Sequence, residues 1–123
     1  MAGLSIFLVA DTQAPGLIIG VSCNAPEQAA TAAERGASYY NIGPLFQTET
    51  KKKLTAFLGA NAIEEFSALS DLPFTVMGGI KLEHVNDLVD RGARRIAVVT
   101  ALTQANDIAE ETRKWLAAIN QTG

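Results

Sequence analysis

Apolar residues in this chain gather in short blocks, separated by longer stretches in which apolar and polar positions alternate at helical spacing. The blocks are Leu4–Ala10, Leu17–Val21, Tyr39–Ile42, Pro73–Met77 and Ile96–Val99. Each is too short for a helix and fits a buried strand. Helical patterns fill the gaps. Asn24 stands as an N-cap, with Glu27 three residues on in a capping-box-like arrangement. The Ala-rich helix that follows runs to Arg35 and stops at Gly36. Asn61–Leu69 reads as a helix with Ala62, Ile63, Phe66 and Leu69 on one face. Leu82, Val85, Leu88 and Val89 line the next, which stops at Gly92, and Ile108, Thr112, Trp115, Leu116 and Ile119 line the last. Gly43 to Gly59 is a long connection with no clean period.

From Leu17 onward the order is strand then helix, four times over. That alternation predicts an α/β fold with a parallel sheet and helical crossovers. Strands that are apolar almost throughout predict cover on both faces of the sheet. Glu34-Arg35-Gly36-Ala37 recurs as Asp90-Arg91-Gly92-Ala93. The recurrence fits βα units stacked around an axis; Gly-Ala is also a common helix stop. The leading block is different. Only Asp11 to Gly16 join Leu4–Ala10 to the next strand, and a parallel crossover needs a dozen residues or more. Residues 1–16 are therefore expected to form an atypical strand and turn, antiparallel to its neighbour or paired with another chain. Residues 17–123 are expected to form four βα units of one domain.

At 123 residues the chain suffices for one core, whereas a full (β/α)₈ barrel takes roughly 250. Hydrophobic residues make up 48% and the net charge is −3. This excludes a disordered chain and a basic field for gripping nucleic acid. No apolar run is long enough to span a bilayer. Met1-Ala2-Gly3 lacks the charged region of a signal peptide. Cys23 is the one cysteine, so no intrachain disulfide can form, which fits a reducing cytoplasm.

In parallel α/β folds the working loops follow the C-terminal ends of strands. Here they are Ser22-Cys23-Asn24, Gly43 to Lys51, Gly78-Gly79-Ile80 and Thr100-Ala101. Gly78-Gly79 lets backbone N–H groups approach an anion closely, though such a pair also makes an ordinary tight turn. Ser22, Thr48 and Thr50 offer hydroxyls, and Lys51 a point charge suited to phosphate. Lys51-Lys52-Lys53 read alone is a solvated surface run. All four loops are expected on one rim, which suits a phosphorylated ligand or a pyrophosphate leaving group.

Three segments carry a resemblance. Ile18-Ile19-Gly20-Val21-Ser22, Gly43-Pro44-Leu45-Phe46-Gln47-Thr48-Glu49-Thr50-Lys51-Lys52 and Met77-Gly78-Gly79-Ile80 resemble thiamine-phosphate synthases, a family that includes a thiazole tautomerase branch. Arg91-Gly92-Ala93 leading to Ile96–Ala101 continues the likeness. The likeness runs from about Leu17 to the C-terminus and matches the back half of the family. It implies half of a TIM-type β/α barrel. It implies a transferase of thiamine biosynthesis that joins a pyrimidine diphosphate to a thiazole phosphate after pyrophosphate departs. It implies that Ser22, Thr48, Thr50 and Lys51 hold pyrophosphate, with Lys51 stabilising charge on the leaving group. Gly78, Gly79, Val99 and Thr100 would hold the thiazole phosphate. Mg²⁺ is implied too, but the family's metal-binding aspartates lie in the front half. Asp11 is the one position here that could stand for such an aspartate, and a turn residue explains it as well. Asn24 stands where the tautomerase branch has His, and Gln47 where Pro is usual.

The lone chain is accordingly expected to be a poor catalyst, or a non-catalytic phosphate-binding or assembly module. A half-barrel leaves sheet edges and an inner face open, so a homodimer or a partner supplying the front half is expected. His84 reads as a surface residue, Trp115 as packing, and Cys23 as a thiol with no activating base.

Overall fold

In the computed structural model, residues 16–47 and 57–120 are described. Four strands, β1 (Gly20–Cys23), β2 (Tyr39–Ile42), β3 (Phe74–Met77) and β4 (Ile96–Ala97), form one sheet in chain order, all parallel. The register places Ser22 beside Asn41, Asn41 beside Thr75, and Met77 beside Ala97. Helix α1 (Pro26–Ala32) joins β1 to β2, and α2 (Ala62–Ser67) lies between β2 and β3. A 3₁₀ turn (Leu82–His84) runs into α3 (Val85–Asp90) between β3 and β4. Two helices follow, α4 (Thr100–Thr103) and α5 (Ile108–Asn120). The strand predicted over Leu4–Ala10 lies outside the described residues.

Alternation along the strands separates two faces. Val21, Cys23, Tyr40, Ile42 and Val76 are buried and pack with Ala29, Ala32, Ile63, Phe66, Val85 and Leu88 of the helices. Their neighbours Ser22, Asn41, Thr75, Met77 and Ala97 are half-buried or exposed. Among the described residues, the cover expected on both faces is found on one, and the other is left open.

The repeated Arg-Gly-Ala is a repeated helix stop. Gly36 and Gly92 take φ of 97° and 116°. Their amides donate to Ala33 and Val89, and the Ala37 and Ala93 amides reach back to Ala32 and Leu88 at 3.0 Å. Left-handed glycine and the reach over five residues make a Schellman-type end. Both alanines are buried, so the same turn aims each following strand into the sheet.

Several boundaries differ from expectation. β1 begins at Gly20, because β2 starts opposite it at Tyr39; Leu17 and Ile18 are exposed, Ile18 at 81%. Asn24 is not the N-cap. Ala25 is, and the Gln28 carboxamide accepts from the Asn24 and Ala25 amides at 2.8 and 3.3 Å. Leu69 falls past the end of α2 and is exposed. On α5 only Trp115 is buried; Ile108 and Leu116 are about half exposed, at 52% and 53%. That helix packs chiefly along α3, which covers a narrower stripe than the pattern promised. Arg91 ties α3 to α2: its guanidinium donates to Asp87 at 3.1 Å, Glu64 at 2.9 Å and Asn61 at 3.0 Å.

Candidate functional site

Because the strands are parallel and sequential, the C-terminal ends of all four lie at one edge, as the pattern required. Ser22 is exposed on the open face of β1. Cys23, next to it, faces the core and is 1% exposed. Burial pushes its thiol pKa up, so Cys23 stays a thiol and offers no nucleophile. Asn24 is exposed, with its backbone N–H held by Gln28.

The loops after β2 and β3 are joined by backbone. The Leu45 amide donates to Met77 O at 3.0 Å and the Phe46 amide to Gly78 O at 2.9 Å. Gly78 and Gly79 take φ of 104° and 64°, a region a β-carbon disfavours. Close approach adds a second demand. A β-carbon at Gly79 would collide with Gln47 O and come within 2.7 Å of Phe46 O, and one at Gly78 would lie 2.6 Å from Pro44 Cα. The glycine pair is therefore the seat of the loop after β2, beyond its use as a turn. Pro44 follows a cis peptide bond in that loop. The chain passes from Gln47 directly into Thr48; Thr48, Thr50 and Lys51 lie outside the described residues, as does Asp11.

Two further residues expected at the site follow β3 and β4. Met77 pairs with Ala97 at the ends of β3 and β4, and Gly79 and Val99 each follow two residues on. β4 is shorter than predicted, because Val99 is already the N-cap of α4 and Thr100 its first residue. Val99 is exposed and Thr100 half-buried.

His84 and Phe46 were missed as a pair. Their rings stack with centroids 4.2 Å apart and planes at 26°. His84 Nδ1 also accepts the Lys81 amide at 2.9 Å, capping the 3₁₀ turn. His84 is half-buried, not the plain surface residue expected. The spacing could have signalled the cap: an acceptor three residues after the extended residue that opens a helix is the capping-box position. Nothing local signalled the stack, which joins residues 38 positions apart in the chain.

On the open face, Asn41 and Thr75 are adjacent in register, and Thr75 Oγ1 is buried without a hydrogen-bond partner among the described residues. Among the described residues no group of three or more His, Cys, Asp or Glu comes together as a metal site. The donor set for Mg²⁺ is thus not found there. No helix among them is long and apolar enough to cross a membrane.

Comparison with known proteins agrees with this fold. The chain is 37% identical over 105 residues to a thiamine-phosphate synthase of Pelotomaculum thermopropionicum, an overlap of 85% of this chain and 48% of that protein. A thiamine-phosphate synthase of Chlorobium luteolum is 38% identical over 108 residues, 88% of this chain and 51% of its own. The chain spans about half the length of these curated relatives. Among solved structures, thiamine phosphate pyrophosphorylase from Pyrococcus furiosus superposes with a TM-score of 0.81 at 25% identity, over 94% of this chain and 55% of that one. A 3-hexulose-6-phosphate synthase from Salmonella typhimurium gives 0.74 at 21% identity, over 95% and 58%, a likeness of fold. Residues 4–102 match the family model described as thiamine monophosphate synthase. With that match over most of its length, and a parallel β/α sheet of about half the extent of its structural neighbours, the chain belongs to the thiamine monophosphate synthase family.

Proposed function

We propose that this chain is the phosphate-handling half of a thiamine-phosphate synthase-like barrel. The loop after β2, through Thr48, Thr50 and Lys51, takes pyrophosphate together with Ser22 of β1. The loops after β3 and β4 take thiazole phosphate, through Gly78, Gly79, Val99 and Thr100. A front half joins them to the hydroxymethylpyrimidine diphosphate and so completes the transferase. The observation that carries this reading is the fixed approach of Gln47 to Gly79. It sets the entry to the Thr48–Lys51 segment beside a glycine whose backbone can face an anion.

In this reading the chain's own residues bind and orient. Lys51 puts a positive charge against the departing pyrophosphate, and the threonine hydroxyls donate to its oxygens. Mg²⁺, when bound in the complete enzyme, supplies further charge neutralisation for pyrophosphate departure. With no donor set among the described residues, no step of this chain is routed through it.

A second reading is favoured by the face and the edges that the described residues leave open. As a module that assembles, two copies would form a twofold ring, with β4 of each copy beside β1 of the other. Four parallel strands in chain order then become eight, the number that closes a TIM-type barrel.

Isothermal titration calorimetry with pyrophosphate, thiazole phosphate and thiamine phosphate, with and without Mg²⁺, tests the leading reading. Binding that weakens in Lys51→Ala supports it. No binding of any of the three leaves a fold whose role is assembly.

A further inference from the structure

We propose that His84 is a positioning residue for both anion loops, clasping the loop after β2 to the loop after β3. The inference rests on the reading that these loops take phosphate groups. His84 meets each loop with a different part of one ring. Its Nδ1 accepts the Lys81 amide at 2.9 Å, which fixes the chain just after Gly78-Gly79-Ile80. Its face stacks on Phe46 at 4.2 Å, two residues before Thr48.

The stack lies beside the backbone bonds from Leu45 to Met77 and from Phe46 to Gly78. It also lies beside the contact of Gly79 with Gln47 that leaves no room for a β-carbon. Three kinds of contact thus hold one junction, and His84 is the side chain that spans it. An aliphatic residue at 84 would lose both the acceptor and the ring. An anion held between two loops needs their spacing held to a fraction of an ångström, and this junction sets that spacing.

The test compares His84→Ala, Phe46→Leu, the double variant and Phe46→Tyr with the parent chain. Amide hydrogen exchange is read at Leu45 and Phe46, and pyrophosphate affinity is read by calorimetry. Loss of an aromatic stack is expected to speed exchange at both amides roughly three- to tenfold and to weaken pyrophosphate by a similar factor. The double variant should fall short of the product of the two single effects, because the singles share the stack although each also loses a contact of its own. Phe46→Tyr keeps a ring and should stay within about twofold of the parent.

Unchanged exchange in His84→Ala, or losses that multiply in the double variant, would overturn the proposal. Faster exchange with pyrophosphate affinity unchanged would reduce His84 to a structural contact and overturn it as well. If the parent chain binds no pyrophosphate, the phosphate-loop reading fails instead, and the exchange data alone decide whether the clasp exists.

Discussion

Tyr40 is fully buried at the centre of β2, stacks on Phe74 with ring centroids 5.7 Å apart, and has no partner for its hydroxyl among the described residues. Burial, with the nearby Cys23 adding to it, pushes its pKa up to about 12 from an ordinary value of 10. Below pH 10 the folded and unfolded phenols are both neutral, and the native state keeps its full advantage. Between pH 10 and 12 the unfolded phenol ionises first, so the unfolded state binds fewer protons and stability falls as pH rises. The loss should reach about 2 kcal/mol across that window. Tyr40→Phe should show a shallower decline in urea unfolding between pH 8 and pH 11. At neutral pH it should be as stable as the parent or up to ~1 kcal/mol more so, since an unsatisfied buried hydroxyl is removed. Cys23 gives a companion test. Its buried thiol should react with a disulfide reagent only as fast as the chain opens, and urea should raise that rate steeply.

At the scale of elements, glycine conformation separates a turn from a junction. Gly92 has positive φ with open space around its missing β-carbon, whereas Gly79 has positive φ and backbone oxygens where that carbon would stand. Gly92→Ala should cost about 1–2 kcal/mol from backbone strain alone. Gly79→Ala should cost more, about 2–4 kcal/mol, and should free the Leu45 and Phe46 amides to exchange; thermal unfolding and exchange check both. The two glycines illustrate what the sequence made legible. Strand order, the Arg-Gly-Ala stops and the common rim follow from patterns within about twenty residues, where period and glycine chemistry are decisive. The cap on α1 was misplaced by one residue because Asn24 and Gln28 both carry suitable groups, and the reach of Gln28 won. The Phe46–His84 stack and the partial burial of Leu116 depend on which distant surface arrives, and no local spacing records that.

For the whole molecule, the open face of the sheet is the feature to explain. Ser22, Asn41, Thr75, Met77 and Ala97 stand on the side that the described helices do not cover. In a closed barrel such positions fill the interior in layers. β1 and β4 are the edges of the described sheet, and unpaired edges recruit strands. Under the assembly reading, a second copy satisfies both demands with one symmetry operation. Sedimentation velocity at micromolar concentration should then give a species of twice the chain mass that dissociates on dilution. Ala97 is exposed on β4, facing the open side, so Ala97→Arg places a charge in the shared interior without disturbing the helical core. That variant should sediment as a monomer while its unfolding becomes independent of protein concentration. Leu69→Ser, exposed beyond α2 and remote from either edge in the chain order, should leave the dimer intact. A parent chain that remains monomeric at micromolar concentration rules out self-completion. The open face would then belong to a separate front half, to be sought by mixing this chain with residues 1 to about 110 of a full-length relative and assaying thiamine phosphate formation.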